Sequence, residues 1–538
     1  DSTDALATLG RVLQRIDTMQ CADLVSPQFG CADREFWAYR TTRGFSSAPF
    51  QHVMSGLAYL STSHSVEEQE RLIQRALAAL DYWTRSRNSN GSTNEWYRNE
   101  QSFCATAMGL QSATETLFVL RNVLPPTEMR HRIEELRNSA NWLESRDNNL
   151  AANQRVASFS GRFLLGVLSG DEKMQSCAID YVSKLESEFT SVGFLPEYGS
   201  MDIGYTLLSL DLLAVAHRAG FVGCEQFVAG LCTQLCRMVG GSGELPFELG
   251  SRGSHHHFFG GVLYFSKVVD AAHDFVKENV GLFAMPQYED VSRYDDRYLA
   301  TFGFSALARR VTLPGALQQS ARPLAVNSLN FPPPDIVGRR FAGGTLFTNE
   351  RFGGALSWRT SDRPPVTQLG YVFLDESGKN WTSLAYRAEA DKTYRFIRVS
   401  DAMPLIRHEW LFRTLFSLCR LPGVAGLVSR IARTRAGRPR RSGAVILERE
   451  VTTGVDEVRV EDRLSLGKRV QGEIRPLEEF PFHAPSSMKH QQDTVIASQF
   501  SEIVKRALGE RDPQGNMRIT IRWKLVVNAD REVSIQLA

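Results

Sequence analysis

The strongest constraint on this chain is a change of hydrophobic period partway along it. Over about the first 310 residues, apolar side chains recur at three- and four-residue intervals; well beyond them they recur at every second residue. Ser65-Val66-Glu67-Glu68 forms a capping box ahead of Leu72, Ile73, Ala76, Leu77, Leu80 and Trp83. Comparable helical patterns run over about 103–123, 127–144, 153–168, 171–189, 205–219, 222–238 and 258–277. Their connections are short and polar, so neighbours should form antiparallel hairpins. Hairpins in series without a sequence repeat predict an (α/α) toroid or incomplete barrel. Pro314, Pro323 and Pro332-Pro333-Pro334 then leave no room for a helix, and 311–335 reads as a linker or wrapping segment.

Past that segment, Ala444–Val451, Glu457–Leu464, Met517–Val526 and Val533–Leu537 alternate apolar with polar residues, and Gly454-Val455-Asp456 turns between the first two. Successive strands of this kind predict an antiparallel β-sandwich. The expected class is therefore α+β multidomain: a helical toroid over 1–310, a Pro-rich linker over 311–335 and a β-sandwich over 336–538. One piece breaks the strand pattern. Residues from about 404 to 441 carry Trp410, Leu411, Leu415, Phe416 and Leu418 at helical spacing and end in Arg430, Arg433, Arg435, Arg438, Arg440 and Arg441. The plainer reading is a solvated basic loop capping the sandwich. The sharper one is a peripheral contact with a membrane surface or an anionic polymer.

Composition narrows the function classes. With 62 basic and 60 acidic residues the formal charge is +2, which supplies no drive toward nucleic acid. No run approaches the roughly 18 apolar residues that span a bilayer, so a soluble protein is expected. Eight cysteines in 538 residues make no disulfide scaffold, and no Cys-x-x-Cys pair points to zinc. Cys104, Cys177, Cys232 and Cys236 sit in helical patterns as small hydrophobes. Cys21 and Cys31 can bridge in an oxidising compartment, although reduced thiols are the reading preferred here. The compartment stays open between periplasm and cytoplasm, and so does the oligomeric state.

Four polar segments run into helix starts: Asn94–Phe103, Asn148–Gln154, Phe194–Thr206 and Gly250–His257. The third carries Glu197, Asp202 and Tyr205 straight into an apolar helix, at the helix end whose backbone N–H groups favour anions. In a toroid, alternate helix ends share one rim, so these starts should converge on a single cleft. Taken singly, each Asn or Asp is an ordinary helix cap. The run His255-His256-His257 is less ordinary, but alternate members of such a run point different ways. Without His-x-x-x-His or paired-Cys spacing it gives no zinc site, and no metal or cofactor is expected. The chain has no phosphate-binding Gly-x-x-x-x-Gly-Lys loop, no dinucleotide-binding glycine fingerprint and no Gly-x-Ser-x-Gly elbow.

Asn94-Glu-Trp-Tyr-Arg-Asn-Glu-Gln-Ser-Phe103, Asn153-Gln154, Glu197-Tyr-Gly-Ser-Met-Asp-Ile-Gly-Tyr205 and Gly250-Ser-Arg-Gly-Ser254, in that order and ahead of a β region, resemble the heparinase II/III-like group of polysaccharide lyases. The resemblance implies a toroid against a sandwich, a groove at their junction, and β-elimination on a uronic-acid polysaccharide. It implies that Asn153 neutralises the uronate carboxylate and that Tyr205 transfers a proton at the scissile bond. One of His255, His256 or His257 would add a base or a carboxylate contact. Asn99, Glu100, Gln154, Glu197, Tyr198, Asp202 and Arg252 are the candidate substrate contacts. Gln154 departs from the pattern, because such lyases often carry His there and Gln cannot carry a proton. A catalytic His from the β region would have to be His408, His483 or His490, none of them in a recognisable motif.

Elimination removes a weakly acidic proton next to a carboxylate, and the developing enediolate needs an amide and a cation beside it. A histidine of the 255–257 run as base with Tyr205 as acid is the assignment preferred here, and Tyr205 in both roles is the alternative. Two other functions compete. A glycoside hydrolase on the same scaffold would pair Glu197 with Asp202, or Glu100 with either. A non-catalytic or biosynthetic role in cell-surface polysaccharide production would leave the cleft as a binding surface only.

Overall fold

The computed structural model describes most of residues 2–284, residues 294–313 and, from Ile336 onward, mainly the strands. Ser65, most of the Pro-rich segment, Arg430, Arg433, Arg435, Arg438, Arg440, His408, His483 and His490 lie outside the described residues.

The helices are α1 (Ser2–Met19), α2 (Arg34–Trp37), α3 (Val53–Ser61), α4 (Val66–Ser86), α5 (Phe103–Leu120), α6 (Pro126–Glu144), α7 (Ala152–Ser169) and α8 (Glu172–Val192). They continue as α9 (Ile203–Arg218), α10 (Glu225–Met238), α11 (Gly260–Phe265), α12 (Asp270–Glu278), α13 (Val280–Ala284), α14 (Asp296–Tyr298) and α15 (Phe304–Thr312). Helices α3, α5, α7, α9, α11 and α15 pack each on the next, and α15 returns to α3, so the inner ring closes. Outside it, α4 covers α3, α6 lies over α5 and α7, α8 covers α7, and α1 covers α15. The closing seam is drawn tight by Ser55 Oγ and Ser305 Oγ, 2.8 Å apart. Gly56 belongs there because a Cβ would fall 2.5 Å from the Phe304 ring.

The inner helices are buried over most of their length. All of α3 is buried, and such a helix shows no amphipathic stripe to read from sequence. The segment expected as one helix over 258–277 is broken between α11 and α12. Val269 there is extended (φ −127°, ψ 128°), a conformation that suits a β-branched residue better than a helix does. Polar groups inside the ring pair with one another. Arg309 grips Glu115 at 2.7 and 2.5 Å, and Asp211 Oδ1 accepts from the Gly261 N–H at 2.6 Å.

Two short strands, β1 (Pro196–Glu197) and β2 (Ser200–Met201), form a hairpin just before α9. From Ile336 the chain is built of antiparallel strands. β3 (Ile336–Phe341), β4 (Gly344–Asn349), β5 (Ala355–Arg359) and β6 (Val366–Gln368) make a four-stranded sheet in chain order. β7 (Tyr371–Asp375), β8 (Asn380–Thr382), β9 (Thr393–Arg398), β10 (Arg441–Thr453), β11 (Glu457–Leu466), β12 (Gly472–Pro476), β13 (Gly509–Arg511), β14 (Met517–Val527) and β15 (Val533–Leu537) make the second. In that sheet the order is β12-β7-β8-β9-β10-β11-β14-β13, with β15 also on β14. Arg441, expected in the basic insertion, instead begins β10 and pairs with Ile397.

The four-stranded sheet is a middle layer. Leu346, Leu356 and Trp358 join the buried cluster of the larger sheet, with Val460, Leu464 and Trp523. Their neighbours Phe347 and Ala355 face the other way, into the helical core. With both faces covered, β4 and β5 lose the alternation that made β10, β11, β14 and β15 readable. The junction is polar at one point. Arg359 holds Glu248 bidentately, with both contacts at 2.9 Å, and Ser357 donates to the same carboxylate. The wrapping segment touches the helices through Pro332, whose carbonyl accepts from Gln234 Nε2 at 2.7 Å. No helix among the described residues is long and apolar enough to cross a membrane.

Candidate active site

The starts of α5, α7 and α9 lie on one rim of the ring, and the loop ahead of α11 folds over them. Glu197 sits in β1, and β1 is also bridged to Ala151, the residue just before α7. That bridge delivers the Glu197 carboxyl to the first turn of α7, where it takes a hydrogen bond from the Asn153 side chain and meets the Asn153 N–H at 3.5 Å. Glu197 is 2% exposed. Burial, helped by the charge of Asp202, pushes its carboxyl up to about 8, against the pull of Asn153 and Arg252.

Asp202 caps α9. Its Oδ1 accepts from the Tyr205 N–H at 3.0 Å; its Oδ2 accepts from the backbone N–H groups of Arg252 (3.0 Å) and Ser254 (3.4 Å). Burial raises it to about 6 in spite of those donors. Two glycines permit this approach. A Cβ on Gly250 would stand 2.7 Å from Asp202 Oδ2, and one on Gly204 would stand 2.4 Å from the Ser254 carbonyl. Asp202 therefore pins the 250–254 loop onto the start of α9, which brings Arg252 beside Tyr205.

Arg252 lies over the Tyr198 ring at 4.7 Å, and its Nε is buried with no hydrogen-bond partner among the described residues. Its charge acts on Tyr198, Tyr205, Tyr298 and Glu197 together. Tyr205 is partly exposed and is held well above its ordinary value by burial and by Tyr298, Glu197 and Asp202; Arg252 opposes them. The phenol is therefore protonated at neutral pH and ready to donate. Cys104 stands at the start of α5, and its thiol is raised by burial and then feels Glu95, Arg297, Glu197 and Glu100. Arg297 pairs with Glu95 and stacks 4.0 Å over Trp96, an indole that is 50% exposed.

The structure brings together Asn153, Glu197, Tyr198, Asp202, Tyr205, Arg252 and His256. The other expected residues stand apart in their bonding. His256 is fully buried between Phe258 (5.1 Å, 6° between planes) and Tyr298 (5.4 Å, 25°), edge-on to Tyr205 at 5.3 Å. His255 and His257 turn the opposite way, against Phe247. Gln154 accepts from Asn148 at 2.7 Å. Glu100 folds back to accept from the Glu95 and Trp96 N–H groups at 2.7 and 2.8 Å, and burial with Glu95 nearby raises it. Asn99 donates to the carbonyls of Cys419 and Arg420 at 3.3 and 3.1 Å, tying its loop to the insertion. Among the described residues no group of three His, Cys, Asp or Glu is arranged to hold a metal ion.

Sequence reasoning missed Trp96 and Arg297 beside the site, and it missed the backbone of the loops. Asn99 (φ 59°), Gln101 (φ 53°) and Tyr198 (φ 52°) are the described non-glycine residues with positive φ, and all three sit in the two cleft loops. An aromatic residue in that region is strained and persists only where its surroundings impose it; for Tyr198 the N–H bond to the Leu150 carbonyl, 2.6 Å, does so. No residue type announces such a conformation.

No protein-family model and no curated protein sequence matches the chain. Among solved structures it is similar to a Paenibacillus xanthan lyase, with 10% identity and a TM-score of 0.47 over 97% of this chain and 56% of that one. It is also similar to a Streptomyces coelicolor A3 chondroitin AC lyase in complex with chondroitin sulphate, with 11% identity and a TM-score of 0.45 over 88% of this chain and 68% of that one. The chain thus spans little more than half the length of the xanthan lyase.

Proposed function

We propose that this protein is a polysaccharide lyase that cleaves a uronic-acid-containing polymer by β-elimination, as its likeness to the heparinase II/III-like group implies. The observation that carries the reading is the meeting, on one rim, of a protonated phenol (Tyr205), a guanidinium with an unused buried N–H (Arg252) and an amide at a helix start (Asn153). Arg252 and Asn153 would receive the uronate carboxylate and hold the charge that develops when the adjacent carbon loses its proton. The C–H electron pair becomes the ring double bond, the C–O bond to the next sugar breaks, and the departing oxygen takes a proton.

Tyr205 is assigned both transfers. It is preferred here to a histidine base because it is more exposed than any of the three, His256 being enclosed by Phe258 and Tyr298 and His255 and His257 standing against Phe247. As acid the phenol needs no activation. As base it must first lose its proton, and Arg252 is the neighbour that favours this. The hydrolase reading recedes because it needs two carboxyls facing one bond. Both oxygens of Asp202 accept from backbone N–H groups, and Glu100 Oε2 accepts from two in its own loop, so neither carboxyl is paired with Glu197 across a common bond.

The test is a panel of uronate polymers (alginate, polygalacturonate, chondroitin, hyaluronan, xanthan) followed by ultraviolet absorbance of the conjugated product. Rising absorbance with one polymer is expected. New reducing ends without absorbance would favour a hydrolase, and binding without any product would favour a non-catalytic role in polysaccharide production.

A further inference from the structure

We propose that Asn349 and Arg359, two side chains of the β region, are positioning residues for Arg252: by holding the segment just ahead of it, they fix where its guanidinium stands. This rests on the lyase reading above, through the role given there to Arg252. It extends the site to residues across the helix–sheet junction.

The strand register puts these side chains on one face. Thr345, Phe347 and Asn349 of β4 stand opposite Arg359, Ser357 and Ala355 of β5, and every second residue of a strand points the same way. This is the face that turns Phe347 and Ala355 into the helical core. Its polar members reach one short segment. Asn349 Nδ2 donates to the Leu249 carbonyl at 2.7 Å, and Arg359 Nη1 donates to the Leu245 carbonyl at 3.1 Å. Arg359 Nε and Nη2 hold Glu248, to which Ser357 also donates. Asn349, Ser357, Arg359 and Glu248 are all buried. A junction serving cohesion alone would do as well with apolar residues, since a buried ion pair seldom out-stabilises well-packed hydrophobic side chains. What these groups supply is direction.

From Leu249 to Arg252 the backbone has little slack. Phe247–Leu249 is one 3₁₀ turn, and the Gly250 N–H bonds to the Phe247 carbonyl at 3.1 Å. The Ser251 N–H bonds to the Met201 carbonyl at 2.8 Å, and the Arg252 N–H reaches Asp202 at 3.0 Å. The loop is therefore anchored twice, by the sheet ahead of Gly250 and by the cap of α9 behind it. With the first anchor cut, the segment leading to Arg252 is free to shift. A shift of about 1 Å in such a group can cost on the order of a hundredfold in rate.

Two measurements on the full chain test this, with Asn349→Ala and Arg359→Lys as variants. Arg359→Lys keeps a charge opposite Glu248 but loses the fork that also reaches the Leu245 carbonyl. The first measurement is amide hydrogen exchange read by mass spectrometry. Exchange over 245–254 should quicken about tenfold or more in both variants, while α5 and α7 keep the wild-type rate. The second is a double-mutant cycle on kcat with the polymer that is cleaved. Asn349→Ala should lower kcat about tenfold in the wild type but less than about twofold in Arg252→Met, because the residue it positions is gone. Unchanged exchange over 245–254 would overturn the inference whatever the activity. Equal losses of kcat in the two backgrounds, the result of a merely structural role, would also overturn it. No cleavage of any polymer by the wild type would overturn the lyase reading instead, and exchange would still decide whether the sheet sets the loop.

Discussion

Two arginine–glutamate neighbourhoods of the ring are built in opposite ways. At the centre, Arg309 grips Glu115 through two hydrogen bonds, with Gln111 and Asp211 around them, and the group is sealed inside six helices. At the rim, Arg252 and Glu197 feel one another's charge, but Arg252 stacks on Tyr198 with a buried N–H unused, while Glu197 turns to Asn153. The first matches Arg309 to Glu115 through two hydrogen bonds, although Asp211 Oδ2 beside them has no hydrogen-bond partner among the described residues. The second is short of partners, which is the state expected of a site that completes its bonding with a ligand. On the proposed reading the same residue types serve cohesion in one place and recognition in the other, and the difference lies in how fully each charge is matched.

The comparison breaks if the two neighbourhoods respond alike to mutation. Glu115→Ala should cost about 3–5 kcal/mol of folding stability, because it strands a buried guanidinium; urea unfolding would measure this, and a loss below about 1 kcal/mol would contradict it. Arg252→Met should leave stability within about 1 kcal/mol and lower turnover on the cleaved polymer about 10²–10³-fold, as loss of one charge-stabilising group does. Asn153→Ala should lower turnover about tenfold or more, while stability moves by about 1 kcal/mol, the worth of its one hydrogen bond to Glu197. A large fall in melting temperature with normal turnover would return Asn153 to a purely structural role.

The smallest effect is one of pH. Burial holds Glu197 near 8, Asp211 near 7 and Asp202 near 6, all above the ordinary carboxyl range. The folded chain therefore keeps protons that the unfolded chain has released. This stabilisation is complete below the unfolded carboxyl values, near pH 4, and is lost as pH rises through 6 to 8. The melting temperature should drop by several degrees between about pH 5 and 8.5, with a shallower drop in Glu197→Gln. A flat or rising profile would contradict the burial argument.

What the sequence disclosed follows from exposure. Elements with one wet face, such as α4, α8, β11 and β14, carry a period that can be read directly. Elements buried all round, such as α3 and β5, carry none. At the site, the polar helix starts were legible as four segments, and three of them supply the clustered residues. Their spatial register was not legible, because it depends on Gly204 and Gly250 letting two backbones approach and on a strained Tyr198. The roles within the histidine run were equally hidden. Their alternation was foreseeable, but nothing in three consecutive imidazoles tells which one faces Tyr205 or that aromatic rings enclose it.

The most direct test of the central claim is the initial rate of ultraviolet-absorbing product from the cleaved uronate polymer, measured for the wild type and for Tyr205→Phe at equal concentration. The account predicts a loss of about 10²–10⁴-fold in the variant, the range for removing a proton-transfer group, with polymer binding retained. Equal rates in the two proteins would contradict it.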